Sequence, residues 1–317
     1  MNEREIDKSC AVERVSSANL DYILGWAYPV LDHGFVRVID YMGNDTSVVQ
    51  AARVSYGRGN KHLSEDVALI RYMMRHHHTS VFEQCEIKFH IKLPIFVARQ
   101  FIRHRTANVN EYSARYSILD KEFYLPSPDQ LAVQSASNRQ GRSEVISADE
   151  AEIVLNLLRE DADTCYAHYT DLLNDPSSPG HDPDRPGLAR ELARMNLTLN
   201  TYTQWYWKCD LHNLFHFLGL RLDTHAQYEI RVYAEQMFKI VESWVPISTQ
   251  AFYDYKHKSV SLSRMEVNLI QDLLKNNDGS LWSRLRQANN GTEHEKNLQN
   301  FYGLSLRELR EFRKTFL

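Results

Sequence analysis

Cysteine is scarce and scattered. The four in 317 residues are Cys10, Cys85, Cys165 and Cys209, and no two form a CxxC pair. That spacing suits neither a zinc cluster nor a disulfide scaffold; reduced thiols in a cytoplasmic protein are the simplest reading. Long apolar runs are missing too. No stretch of about 18 uninterrupted apolar residues occurs, so no membrane span is expected. Met1 to Asp7 is charged and lacks the apolar core of a signal peptide. Positive charge is not in excess: the formal net charge is -4. No global basic field therefore recruits a nucleic-acid polymer, and any nucleotide binding must be local. The glycine fingerprint of a Rossmann fold is absent, and so is an HExxH metal motif.

What is present begins with size. A hydrophobic fraction of 43% over 317 residues supports a globular core, in a chain longer than a typical domain but within the range of large single-core enzymes. The stretch from Arg99 to Tyr116 carries four arginines, His104 and Glu111. Pro94 suits the first position of a helix, Ile95 to Ala98 continue it, and the spacing predicts an end near Arg105. Arg99 and Arg103 stand i,i+4 on a face shared with Phe96 and Gln100. Thr106 to Asn110 reads as a loop, and the alternation of Glu111, Ser113 and Arg115 as an extended segment. Convergent arginines hold phosphate through paired hydrogen bonds, and a partly buried basic cluster needs an anionic partner. The plain alternative is a solvated basic helix end.

Elsewhere, Phe35 to Asp40 reads as a strand, and Glu83 to Leu93 as the clearest one. Its Cys85, Ile87, Phe89, Ile91 and Leu93 share one face; Glu86, Lys88, His90 and Lys92 share the other. Ser47 to Tyr56 starts with helical spacing. Ser64 reads as the N-cap of a helix that ends at His76-His77-His78. Adjacent helical residues point about 100° apart, so three histidines in a row do not easily chelate one ion, and they suit the helix dipole instead. Phe123 to Leu125 reads as a short strand, and residues 127 to 147 as a mobile loop or insertion. Ser147 to Glu150 is a capping box opening a helix through about Leu173. Asn174 to Gly187 is a connection, read as the loop of a helical hairpin within one fold.

Tyr202, Trp205, Tyr206 and Trp207 form a dense aromatic run, read as the core side of a helix rather than a stacking surface. Leu211 to Leu222 reads as an apolar helix carrying His212, His216 and Arg221. His212 and His216, with Asp223 nearby, could share a metal, but polar or nucleotide-facing histidines are the better reading. Ser305 to Glu308 is a further capping box in a charged, helical tail.

Arg103-His104-Arg105, then seven residues, then Ser113 resembles the signature of the flavin-dependent thymidylate synthases. Met42 to Ser47, Ala51 to Ser55, Pro94 to Gln100 and Leu220 to Gln227 resemble the same family in the same order. The likeness covers roughly residues 34 to 257. It leaves 1–33 as an N-terminal extension and 258–317 as a C-terminal helical extension. It implies a single α+β domain, a small, mostly antiparallel sheet packed with long helices. It also implies reductive methylation of dUMP to dTMP, with methylenetetrahydrofolate as carbon donor and NADPH-reduced FAD as hydride source. Arg221 matches the arginine that favours ionisation at uracil N3. Gln100, Arg103, Glu111, Tyr112, Ser113, Ala114, Arg115 and Arg194 match the other dUMP contacts. Ser80, Arg103, His104, Arg105, Glu111, Asp210, His212 and His216 match FAD contacts, and His78 matches a histidine near flavin and folate. Asn108 stands where some relatives have serine. The resemblance further implies a homotetramer whose active sites draw on several subunits; the histidine spacing and the missing HExxH motif predict no metal.

No cysteine lies in a segment resembling a thiolate nucleophile, and no Ser-His-Asp arrangement can be read, so Ser113 looks like a substrate contact. Two other classes stand beside this reading. One is a metal-dependent nucleotide hydrolase using His212, His216 and Asp223. The other is a non-catalytic nucleotide-binding regulator built on Arg99 to Arg115.

Overall fold

The computed structural model describes residues 14–54, 63–136, 141–275, 279, 281, 283, 285 and 293–316. The expected cap at Ser64, Ser55 of the resembling stretch, and Cys10 lie outside the residues or side chains described. The chain divides into two compact units, Met1–Lys258 and Ser259–Leu317.

The first unit begins with α1 (Ala18–Ile23), the hairpin β1 (Ala27–Val30) and β2 (Gly34–Met42), then α2 (Asp45–Val54) and α3 (Leu63–Arg75). β3 (Glu86–Pro94), α4 (Ile95–Phe101) and β4 (Asn108–Glu111) follow, then the short β5 (Ala132–Gln134) and β6 (Arg142–Val145) and the long α5 (Ala148–Leu173). α6 (Arg190–Ala193), β7 (Tyr202–Asp210), α7 (Leu211–Arg221), α8 (Tyr228–Trp244) and α9 (Pro246–Phe252) complete it, with a π-helical turn at Tyr253–His257. Five strands form one sheet in the order β1-β2-β3-β7-β4, and each neighbouring pair is antiparallel.

Period-two patterning puts one face of this sheet against helices. Val36 and Val38 of β2, Ile87 to Leu93 at alternate positions of β3, and Trp205, Trp207 and Cys209 of β7 are buried. α8 covers them with Ile230, Tyr233, Met237, Ile240 and Val241, and it also packs on α1, α4 and α7. Phe101, the last residue of α4, sits in an aromatic cluster with Trp205, Trp207, Phe217 and Tyr233, at ring distances of 4.7–6.2 Å. Burying a ring of this size is worth about 1.5–3 kcal/mol. It also fixes the point from which Arg103-His104-Arg105 leaves the core.

Several local expectations change. The sheet carries β3 on through Pro94, which pairs with Tyr202, so Pro94 caps α4 in extended conformation rather than sitting inside it. α4 stops at Phe101, short of Arg105, because the chain is then drawn into the sheet as β4. Most of the expected loop at 106–110 is thus edge strand, paired with β7. The aromatic run at 202–207 is strand, not helix: Trp205 and Trp207 point inward while Tyr206 is 43% exposed. The core reading of the tryptophans holds on a different element, and period two, with aromatics favouring a pleated surface, was the available signal. Phe123 contributes one isolated bridge to Thr201 rather than a strand. Residues 127–147 contain the β5–β6 pairing. α5 is followed across its connection only by the four-residue α6, so no helical hairpin forms.

Other expectations stand. The Ser147 hydroxyl accepts from the Glu150 N–H at the start of α5. α3 ends at Arg75 with His76 and His77 in the turn beyond it.

The second unit has its own core, with Leu269, Leu273, Leu298, Leu309 and Phe312 among its buried residues. It contains α10 (Arg264–Lys275), α11 (Glu293–Tyr302) and α12 (Leu306–Phe316). The Ser305 capping box is formed reciprocally: Glu308 accepts from the Ser305 N–H and Ser305 from the Glu308 N–H. Ser263 and Glu266 make the same arrangement before α10.

Candidate active site

α7 organises the site. Its N-terminus is capped by Asp210, whose carboxylate accepts from the Asn213 N–H (2.9 Å) and the Asn213 amide (2.6 Å). Leu211, Leu214, Phe217 and Leu218 turn into the core. The i,i+4 pair His212 and His216, followed by Leu220 and Arg221, is left on the outer side. His212 and His216 face the turn after α3. With His77, His78, Phe215 and Phe252 they line a cleft of about 340 Å³ that Lys256 also borders. Asp45, at the start of α2, accepts the Ile247 and Ser248 N–H groups at 2.9 Å and so fixes α9, which carries Phe252.

At the other end of α7, Arg221 Nε donates to His104 Nε2 at 3.1 Å. The His104 ring also stands edge-on to Phe217 (4.9 Å) and 6.0 Å from His216. Burial pushes the His104 imidazole down to about 4, helped by the charges of Arg221 and His216. A neutral ring has one acceptor nitrogen, and the guanidinium claims it; the proton therefore sits on Nδ1. Burial also lowers Arg221 from its ordinary value. Among the described residues its two terminal nitrogens have no protein partner, so this half-buried fork is presented for something else to fill.

Gln100 donates to Gln227 Oε1 (2.6 Å), and Gln227 donates to Glu229 (2.8 Å). Glu229 is 2% exposed; it accepts both carboxylate bonds from Arg142 (2.6 and 2.7 Å) and one from the Tyr124 hydroxyl. Burial works against its ionised form, but Arg142 and Gln227 outweigh that and hold its pKa below the usual range.

The remaining predicted residues belong neither to the cleft lining nor to the His104–Arg221 bond. Arg103 and Arg105 are exposed after α4. Glu111 accepts from the Thr203 hydroxyl (2.7 Å), and the Tyr112 N–H donates to the Gln204 carbonyl. Ser113 accepts from the Arg115 N–H, Ala114 is buried, and Arg115 pairs with Glu191 at 2.9 Å. Arg194 opens an exposed 3-10 turn after α6. Ser80 is exposed and outside the cleft lining, its carbonyl accepting from Gln84. The structure thus joins His78, His212 and His216 in one cleft and His104, His216 and Arg221 in one contact. No hydrogen bond or ion pair among the described residues ties Glu111–Arg115 to either.

Asp223 accepts from the His225 N–H and lies 2.8 Å from its ring nitrogen, rather than joining His212 and His216. Among the described residues no group of three or more His, Cys, Asp or Glu side chains could hold a metal ion. Cys85 and Cys209 are buried, and burial pushes both thiols up, Cys85 to about 12, the opposite of an activated nucleophile.

Sequence reasoning missed Lys256, Gln227 and Glu229. Lys256 left no signal, being 179 positions from His77. Glu229 did: it falls four before Tyr233 and eight before Met237, a carboxylate on the apolar face of α8.

A family model described as thymidylate synthase complementing protein matches residues 37–247. The flavin-dependent thymidylate synthase of Gluconobacter oxydans is 64% identical over 250 residues, covering 79% of this chain and 80% of that one. That of Ruegeria pomeroyi is 54% identical over 299 residues, 94% of this chain and 91% of the relative. Among solved structures, a UMP/dUMP methylase, PolB from Streptomyces cacaoi bound with 5-Br UMP, superimposes with a TM-score of 0.63 at 32% identity. It covers 73% of this chain and 98% of its own.

Proposed function

The chain belongs to the flavin-dependent thymidylate synthases, and on that premise we propose that Arg221, held by neutral His104, is the group that binds and polarises the nucleotide. The activity is reductive methylation of dUMP to dTMP, with methylenetetrahydrofolate as carbon donor. FAD, recharged by NADPH, supplies the hydride.

The observation that carries the reading is the 3.1 Å bond from Arg221 Nε to His104 Nε2. It orients the guanidinium plane and leaves two N–H edges for a carbonyl and a developing negative charge on the pyrimidine. Such donors stabilise charge best when fixed in advance in a partly dry site. Arginine suits this role because it stays protonated and its fork is planar.

The cleft chemistry fits a flavin. Its aromatic and apolar walls suit a planar ring, and its polar lining is histidine, threonine and lysine, without a carboxylate to repel a diphosphate. We assign His212 and His216 to hold FAD there, with His78 beside the ring. Arg103, Arg105 and Ser80, exposed and outside the cleft lining, are assigned to the same cofactor, and Asp210 contributes by capping α7. Gln100, Arg103, Glu111, Tyr112, Ser113, Ala114, Arg115 and Arg194 are assigned to dUMP.

We assign the working molecule as a cytoplasmic homotetramer with shared sites. Two features support this. Among the described residues no hydrogen bond or ion pair joins the Glu111–Arg115 segment or Arg194 to Arg221. α5 also carries exposed Ile153, Leu157 and Leu158, an apolar surface suited to a second copy. Residues 258–317 are assigned as an appended helical extension and 1–33 as an N-terminal one.

The test is an absorption spectrum of the purified protein, then anaerobic NADPH with and without dUMP, then product analysis from dUMP and from UMP. Flavin bands that bleach faster with dUMP, and dTMP as product, are expected. A protein that stays colourless after added FAD would overturn the reading.

A further inference from the structure

Glu229 lies outside the cleft lining, yet a carboxylate 2% exposed is kept there at a cost in desolvation. It stands in the first turn of α8, where the helix dipole favours negative charge. Four hydrogen bonds converge on it, two from Arg142, one from Tyr124 and one from Gln227. Glu229 therefore stays ionised.

An ionised carboxylate only accepts. Gln227 must turn its NH2 group to Glu229, at 2.8 Å, and its carbonyl the other way. That carbonyl oxygen is 2.6 Å from the Gln100 amide nitrogen, so Gln100 must donate to it. The direction of the chain is thus set at its buried end: Glu229 accepts from Gln227, and Gln227 accepts from Gln100. An isolated glutamine amide turns over easily, because its two ends are nearly the same shape. Gln100 cannot turn over without setting two carbonyl oxygens against each other. Its backbone is held as well. The next residue, Phe101, is packed among Trp205, Trp207, Phe217 and Tyr233. Gln100 keeps its Oε1 and one N–H, and among the described residues neither has a hydrogen-bond partner.

We propose that Gln227 and Glu229 are positioning residues for the nucleotide, fixing the Gln100 amide so that its carbonyl oxygen accepts a hydrogen bond from the sugar 3′-hydroxyl of dUMP. The proposal rests on the assignment of Gln100 to that ligand. The ionised phosphate and the two pyrimidine carbonyls of dUMP are acceptors, which suits them to guanidinium groups and not to a carbonyl oxygen. Its donors are the ring N3–H and the 3′-hydroxyl. N3 is the atom whose ionisation Arg221 is assigned to favour, and an acceptor placed on it would hold its proton there. The hydroxyl is left for Gln100. An amide aimed in advance binds it without first losing its rotational freedom.

The experiment uses the full chain loaded with FAD. Dissociation constants for dUMP and for 2′,3′-dideoxyUMP, which lacks the hydroxyl, are measured by calorimetry on wild type, Gln100→Met, Gln227→Met and Glu229→Gln. Gln100→Met is expected to weaken dUMP about tenfold, and Gln227→Met and Glu229→Gln about threefold. With the dideoxy nucleotide, all three should bind as wild type does. A loss of packing alone would weaken both nucleotides equally. Gln227 is exposed, so Gln227→Met should melt as wild type does and carries the test if Glu229→Gln fails to fold. An equal loss for both nucleotides overturns the proposal. So does dUMP binding at wild-type strength in Gln227→Met, or in a folded Glu229→Gln, while Gln100→Met is weakened. Undiminished dUMP binding by Gln100→Met overturns instead the assignment of Gln100 to the nucleotide.

Discussion

His104 and Arg221 stand 117 positions apart and meet through a single hydrogen bond, so the chemistry of each depends on the protonation of the other. An unfolded histidine takes a proton near its ordinary 6.5, whereas folded His104 resists until about 4. Between those values the unfolded state binds more protons, so stability rises with pH. The contribution is present above 6.5 and is lost as pH falls through 4. For a half-buried ring it amounts to about 1–2 kcal/mol. His104→Gln keeps an acceptor for Arg221 but removes the titration. Its urea-unfolding free energy should depend on pH by that much less between pH 6.5 and 4, and an unchanged slope would remove His104 as the titrating group. His104→Leu should lower kcat/KM for dUMP by at least about tenfold, because the guanidinium loses its anchor. The Arg-His-Arg spacing made the motif legible in sequence. The division of labour inside it, two exposed arginines flanking one half-buried neutral histidine, was not, because that depends on Phe217 and Arg221 arriving from a distant helix.

The elements were legible where a single periodicity ruled. β3 alternates cleanly, α5 announces itself by a capping box, and α7 by its apolar face; all three form within a few residues of expectation. The errors fall where the sheet overrode local preference. Pro94, Asn108–Glu111 and Trp205–Trp207 all take their conformation from pairing with a strand more than 90 positions away or more than 90 positions before. The β5–β6 hairpin was invisible for a related reason. Its strands are short and polar, and what fastens them is one bidentate ion pair, Arg142 to the buried Glu229 of α8. Removing one member of such a pair leaves a charge buried without its partner. Arg142→Met should therefore destabilise the protein by about 3 kcal/mol. It should also expose the 132–145 segment to limited proteolysis. A loss below about 0.5 kcal/mol, the range of an ordinary surface change, would show that Glu229 is satisfied by Gln227 and Tyr124 alone.

At the scale of the whole molecule, the resemblance read from sequence ends near residue 257, and the family model ends at 247. The compact units divide after Lys258. Every residue assigned here to dUMP or FAD lies between His78 and Arg221, within the first unit. The second unit builds its core from its own leucines and Phe312, and none of the site assignments draws on it. A chain stopped after Lys258 should then fold cooperatively, take up FAD, and make dTMP at a rate within about threefold of the full chain, since no transition-state contact is removed. The same chain should keep the full-length oligomeric state in sedimentation, because the apolar surface assigned to assembly lies on α5. The Ruegeria pomeroyi relative, which covers 94% of this chain, argues that the tail is shared rather than incidental, so its removal is a test with two informative readings. Activity and assembly both retained would confine the enzyme to the first unit. Loss of assembly with an intact melting transition would move the tail from appendage to subunit contact and make the shared sites depend on it.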